Sequence, residues 1–246
     1  MRSVPDQPPG VELVAEDEQG RVRARSPLPH GADPVDVLHA LGWAVVRVRS
    51  AQQSPDAHRL LRLRFQVRPV GDVAEREEPP EADLAGGAVP RDADLVLDEG
   101  ERLVVFQRVA AYAVVESPWG VLMSEASDRT NAPGTWALPG GGIDPGEEPA
   151  DAVAREVWEE SDQQVEVGEL LLVQSQHWVG RAPGGRAEDY HAVRLIHRAR
   201  CSRPSDPVLN DVGGTTRSAA WVPPTELAAL PMSDSWRAAL VELGLL

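Results

Sequence analysis

Residues 140–163 read GGGIDPGEEPADAVAREVWEESDQ, from Gly140 to Gln163. A glycine-rich run leads into a helical pattern in which Arg155, Glu156, Glu159 and Glu160 crowd six positions around Val157 and Trp158. On a wheel of about 100° per residue, Glu156, Glu159 and Glu160 share an arc of roughly 100°. Ala150, Ala154, Val157 and Trp158 lie away from that arc, and Val153 sits at its border. One face therefore reads as core and the other as a carboxylate cluster. Like charges at i,i+3 or i,i+4 each cost an isolated helix about 0.2–0.5 kcal/mol, so three acids on one face call for a compensating cation. A hard divalent metal, which prefers oxygen ligands, answers that need.

Acidic helix faces are ordinarily just solvated. Here the glycines directly before the helix, and the fixed offsets of Gly141, Glu147, Arg155, Glu156, Val157, Glu159 and Glu160, argue instead for a built site. The stretch resembles the signature box of the Nudix hydrolases, G-x5-E-x7-R-E-U-x-E-E-x-G-U with U aliphatic, and agrees with it at those seven positions. Asp162 stands where the family has glycine, and Gln163 where it has an aliphatic residue. The glycine falls just past the helix, where a left-handed backbone is common. Asp tolerates that conformation better than most residues, so the departure touches the exit loop more than the acids.

The resemblance implies hydrolysis of a nucleoside diphosphate linked to a further moiety X, which could be a nucleotide sugar, a dinucleotide or a nucleoside triphosphate. Water attacks a phosphorus of the bridge with the help of Mg²⁺ or Mn²⁺. Carried over residue by residue, it makes Glu156 and Glu160 the principal metal ligands, Glu159 an additional or bridging ligand, and the Gly140 carbonyl a backbone ligand. Glu147 sits beside the cluster, Arg155 orients a box glutamate, and Glu147, Arg155 and Glu159 form the catalytic set. Which glutamate is the base stays open, since the family varies. Glu188 and Asp189 are further acids on a loop, read as exposed or as late contributors to the site. A non-enzymatic nucleotide sensor using the N-terminal residues to bind a partner is the competing reading.

Composition narrows the remaining classes. The formal net charge is −15, which argues against general binding to nucleic acid or anionic membrane, because phosphate wants a basic patch. No apolar run approaches the length of a membrane span, and no signal-like N-terminus is present, so a cytoplasmic protein is expected. Cys201 is the lone cysteine, which excludes an internal disulfide or a cysteine-rich zinc ribbon. The glycine run lacks the G-K-[ST] ending of a phosphate loop and the spacing of a dinucleotide fingerprint, and no G-x-S-x-G occurs. His177, His191 and His197 show no ligand spacing and read as structural or surface residues.

Outward from the box, residues 1–70 read as a small ββαββ domain of unassigned role, for which dimerisation is one option. Its strands are expected at Val11–Ala15, Val22–Arg25, Trp43–Val48 and Arg59–Val67, with a helix opened by Asp33-Pro34 and closed by Gly42. Arg59, Arg62, Arg64 and Arg68 are expected to form a solvated strand face. Residues 71–100 are acidic and rich in Pro and Gly, and read as a linker. Residues 101–246 alternate apolar strands with the box helix and two terminal helices, an α+β pattern. The resemblance sharpens this to a Nudix α/β/α sandwich. Ser175-Gln176-His177-Trp178 faintly resembles the SQPW start of the NADH-pyrophosphatase motif but does not continue it, and Trp178, Tyr190, Arg181 and Arg186 are options for contacting a base or phosphate.

Overall fold

The computed structural model describes residues 10–54, 57–71, 89–182 and 184–246. The Pro-rich start and most of the acidic stretch read as a linker lie outside the described residues. The chain divides into two compact units, Met1–Val109 with Val173–Val193, and Ala110–Leu172 with Arg194–Leu246. A boundary drawn from composition does not anticipate that residues 173–193 group with the N-terminal part, because strand partnership is not written in local sequence.

The first unit contains the expected ββαββ order: β1 (Gly10–Glu16), β2 (Val22–Pro27), α1 (Pro34–Ala40), β3 (Trp43–Ser54) and β4 (Ala57–Pro69). Its sheet runs β2-β1-β4-β3, with β1 parallel to β4 and the other pairs antiparallel. The β1–β2 turn is set by Asp17, whose Oδ1 accepts from the amides of Gln19 and Arg21, while Gly20 takes φ +79°. Asp33 caps α1 by accepting from the Val35 amide at 2.8 Å, and Pro34 follows as the first helical residue. Along β4, Leu61, Leu63, Phe65 and Val67 are buried, as strand alternation demands. The intervening arginines are not simply a solvated face. Arg62 Nε donates to Glu12 at 2.7 Å and Arg64 pairs with Glu16, because the parallel register lays β4 beside β1. Residues 90–92 also join this unit: Val179 donates to Pro90 O and Asp92 to Val179 O, each at 2.9 Å.

The later strands are β5 (Val104–Ser117), β6 (Gly120–Ala126), β7 (Trp136–Ala137), β8 (Gly140–Gly142), β9 (Glu166–Arg181), β10 (Ala187–Arg200) and β11 (Thr216–Val222). Their sheet runs β11-β6-β5-β10-β9, with β7 added to β6 and β8 to β5. The helices are α2 (Pro149–Ser161), a 3₁₀ turn (Pro224–Ala229) in place of the expected first terminal helix, and α3 (Asp234–Glu242). Residues 175–178, quoted above for their faint resemblance, belong to β9, which runs on to Arg181.

Within the second unit the two faces of β5 carry two cores. Ala111, Ala113 and Val115 pack with Ala152, Val153 and Val157 of α2. Val114 packs with Leu227 and with Trp236, Ala239 and Leu240 of α3. This period-two division of one strand between helices on opposite faces is the α+β sandwich the sequence implied. Each fully buried Leu or Val contributes about 1.5–3 kcal/mol. The small residues on the α2 side let that helix lie close to the sheet.

Candidate active site

The glycines before α2 are a strand of the sheet. Gly140, Gly141 and Gly142 pair with Tyr112, Ala111 and Ala110 of β5. A Cβ on Gly140, which has φ +144°, would stand 2.3 Å from Ala111 O. A Cβ on Gly141 would stand 2.5 Å from the Glu156 carboxyl group. Glycine at the first box position therefore keeps open the space that a box glutamate occupies.

The exposure of α2 corrects the wheel in two places. Glu160 is buried at 8% exposure, whereas Trp158 is exposed at 48%. The stripe facing the sheet includes Val153, Val157, Glu160 and Ser161, at i, i+4, i+7 and i+8. A carboxylate can sit in that stripe because its oxygens are satisfied. Glu160 Oε2 accepts from Ser124 Oγ at 2.8 Å and from the Gly140 amide at 3.2 Å, and Oε1 accepts from Thr216 Oγ1 at 2.5 Å. Burial nonetheless pushes its pKa up to about 7; the Thr216, Ser124 and Gly140 hydrogen bonds oppose the shift and the nearby Glu156 charge adds to it.

Arg155 gathers the other acids. Its Nε and Nη2 donate to the two oxygens of Glu147 at 2.8 and 3.0 Å, and Nη2 also reaches Gly142 O at 2.9 Å. Its Nη1 reaches Glu156 at 2.9 Å and Glu159 at 3.3 Å. The compensating cation inferred from the acidic face is thus supplied in part by the chain's own guanidinium. Burial works against ionisation of Glu147, but the Arg155 fork and the Asp144 amide outweigh it and hold the carboxyl below its ordinary range.

Glu156, Glu159 and Glu160 line one cavity of about 20 Å³ together with Asp211 and Thr216. That is room for a water-sized guest. The donors are hard oxygens, so the residues present fit a divalent cation such as Mg²⁺. Ser124 on β6, Asp211 in the loop before β11 and Thr216 on β11 went unread as site residues. Ser124 and Thr216 approach α2 through the sheet and Asp211 through its amide bond to Glu159 O at 3.0 Å, and no local spacing ties them to the box.

The irregular end of the box is also resolved. Asp162 takes φ 58° and ψ 20°, the left-handed conformation expected where the family has glycine. It is the one non-glycine residue with positive φ among the described residues. Gln163 is buried where the family is aliphatic: its Nε2 donates to Ser161 O at 2.9 Å and Ser205 Oγ at 3.0 Å, and its Oε1 accepts from the Ser205 amide at 3.1 Å. Glu188 and Asp189, expected on an exposed loop, lie instead on β10 with Glu188 buried, and they and Arg181 of β9 have other partners. Glu188 pairs with Arg186, Asp189 with His30 and His177, and Arg181 with Glu101 at 2.8 Å.

A family model described as NUDIX domain matches residues 106–243. The nucleoside triphosphatase NudI of Salmonella schwarzengrund is 32% identical over 148 residues, spanning 57% of this chain and 99% of that relative. NudI of Salmonella paratyphi B is 31% identical over the same shares. Among solved structures, a MutT NUDIX hydrolase from Burkholderia pseudomallei aligns at a TM-score of 0.44 and 24% identity, over 56% of this chain and 98% of that one. The NUDIX domain of Shewanella oneidensis NrtR, solved with ADP ribose, aligns at 0.42 and 18% identity, covering 56% and 87%. The chain belongs to the Nudix hydrolase family. Within that family it is an enzyme, a pyrophosphohydrolase.

Proposed function

We propose that this chain hydrolyses the pyrophosphate bond of a nucleoside diphosphate linked to X, dependent on Mg²⁺ or Mn²⁺, with nucleoside triphosphates as the first class to test. The observation that carries this reading is the convergence of Glu156, Glu159 and Glu160 on one cavity, with Arg155 binding Glu147, Glu156 and Glu159 from beside it. The triphosphatase name of the Salmonella relatives supports the choice of substrate class.

In this reading Glu156, Glu159, Glu160 and the Gly140 carbonyl hold the metal. A bound divalent ion supplies charge neutralisation at the bridging phosphates and lowers the pKa of a coordinated water. Arg155 fixes the Glu147, Glu156 and Glu159 carboxylates in one arrangement through charge-assisted hydrogen bonds, so no reorganisation is needed when substrate arrives. Glu147 and Glu159, both held by that guanidinium, complete the catalytic set in this reading. Asp211, whose amide donates to Glu159 O at 3.0 Å, adds a further carboxylate to the cavity lining. The buried hydrogen bonds from Ser124, Thr216 and Gly140 anchor Glu160 to the sheet. The cytoplasm, where nucleotides are made and consumed, is the compartment this chemistry fits.

The test is a panel of nucleoside triphosphates, nucleotide sugars and dinucleotides, incubated with purified protein and Mg²⁺ or Mn²⁺ and followed by phosphate or pyrophosphate release. Turnover of one class that disappears with chelator is the expected result. No product from any class, with folded protein, would reject the reading and leave a nucleotide sensor.

A further inference from the structure

Three side chains in the first unit meet without any help from the box. His30 follows β2 in the loop before α1, His177 lies on β9 and Asp189 on β10. His30 Nε2 is 2.8 Å and His177 Nε2 is 2.5 Å from the same atom, Asp189 Oδ1. One ligand atom from each residue fits within 4.8 Å of the other two. The imidazole planes are nearly perpendicular, at 82° with centroids 5.1 Å apart, so both rings aim an Nε2 at a common point without stacking.

We propose that His30, His177 and Asp189 form a binding site for a borderline divalent cation of the Zn²⁺ type, separate from the carboxylate cluster of α2. Two imidazole nitrogens and one carboxylate oxygen suit Zn²⁺ rather than Mg²⁺, which prefers oxygen ligands and retains its waters. Around a tetrahedral zinc with bonds of about 2.0–2.1 Å, ligand atoms stand roughly 3.3 Å apart. The two nitrogen–oxygen separations seen here are shorter than that, as expected when protons rather than a metal bridge the groups. An ion enters if the side chains part by about 0.5–1 Å. Three protein ligands leave the fourth position for water or an exogenous ligand.

The surroundings hold the triad in place. The loop carrying His30 bends at Gly31, whose φ is +76°. A Cβ at that position would stand 2.3 Å from His177 Nδ1, so only glycine lets the loop pass behind the ring. Ser175 Oγ donates to Ala32 O at 3.0 Å and ties the same loop to β9. The buried His191 stands beside the triad, with Nε2 2.9 Å from Ser175 Oγ and Nδ1 3.2 Å from the Gln107 side-chain amide. Its ring supports the loop and leaves coordination to the other two histidines. The ligand side chains are 26%, 17% and 26% exposed, which allows an ion to reach them. The alternative is a plain hydrogen-bonded triad, in which both Nε2 atoms carry protons shared with one carboxylate.

Cobalt(II), the spectroscopic stand-in for zinc, separates the two. Titration of metal-free protein is expected to produce the visible absorption of a four-coordinate site, saturating at one equivalent and displaced by Zn²⁺. Loss of a group that merely orients a ligand costs about 10–100-fold in affinity, so His177→Ala and Asp189→Ala are expected to weaken Co²⁺ binding by about 100-fold or more. Glu159→Gln in the box is expected to leave the signal intact. Absorption that survives in both triad variants, or that vanishes in Glu159→Gln, overturns the site. If the variants do not fold, ring ¹⁵N resonances of the wild-type protein decide: equimolar Zn²⁺ must shift the Nε2 signals of His30 and His177, and unmoved signals refute the proposal.

Discussion

Asn210 Nδ2 donates to Asp162 Oδ1 at 2.9 Å and to Trp158 O at the same distance, so one amide ties the left-handed residue after α2 to the helix's last turn. A non-glycine residue in this conformation costs about 1–2 kcal/mol, and a hydrogen bond returns about 1. Asp162→Gly exchanges one for the other and is expected to stay within about 1 kcal/mol of the wild type. Asp162→Ala keeps the strain and loses the bond, and is expected to destabilise by about 1–2 kcal/mol. Denaturant unfolding of the pair checks the order; equal stabilities would show that the Asn210 contact contributes nothing.

Gly141→Ala places a methyl group where the Glu156 carboxyl sits. The side chain can swing away, so the fold should survive while turnover falls by about tenfold or more, the scale on which about 1.4 kcal/mol of transition-state stabilisation is lost. Gly146→Ala is the control, since its Cβ would meet open space. It bears left-handed strain at φ +81° and should lose some stability with kcat unchanged.

Arg155→Lys retains the charge and loses the fork. Lysine cannot bind both Glu147 oxygens and also reach Glu156, Glu159 and Gly142 O. A fall in kcat of about 100-fold is expected, because one anchor orients several groups. A loss of less than about threefold in steady-state assays would show that charge alone suffices.

Glu160→Gln removes a buried carboxylate that three neighbours were built to bind. A loss of about 100-fold or more in rate is expected, together with weaker Mn²⁺ binding by calorimetry. Unchanged metal affinity would exclude Glu160 as a ligand.

His197 titrates with a defined sign. Burial holds its pKa below the ordinary 6.5, opposed by a hydrogen bond to Gly168 O, and its Nε2 has no hydrogen-bond partner among the described residues. The unfolded chain therefore binds a proton more readily below about pH 6.5, and that difference lowers stability as pH falls through this range. His197→Gln should flatten the slope of unfolding free energy between about pH 7 and 5. Identical slopes for the two proteins would remove His197 as the cause.

Local sequence carried the elements whose cause is local. The α1 start at Asp33-Pro34, the turn at Gly20, the β4 alternation and the left-handed Asp162 each depend on the preferences of a few consecutive residues, and each is present. The box spacing likewise brought Arg155, Glu156 and Glu159 together, since a helix with fixed period needs no distant partner to align them, and the Arg155 fork draws in Glu147 from just before the helix. What could not be read was whatever required two separate segments to meet.

Within the second unit, Glu160 is buried only because Ser124 and Thr216 arrive on neighbouring strands with hydrogen bonds to offer. Trp158 is exposed because the sheet covers the adjacent stripe. Asp211 reaches the cavity from a loop about fifty residues past the helix. Within the first unit, Arg62 finds Glu12 through parallel pairing, and His30, His177 and Asp189 converge from three elements with no shared spacing. The sequence by itself determined the family, the acidic helix and the character of its exit, because those follow from residue type and period. Tertiary structure alone decided which acids are buried and which histidines meet, because those depend on strand order.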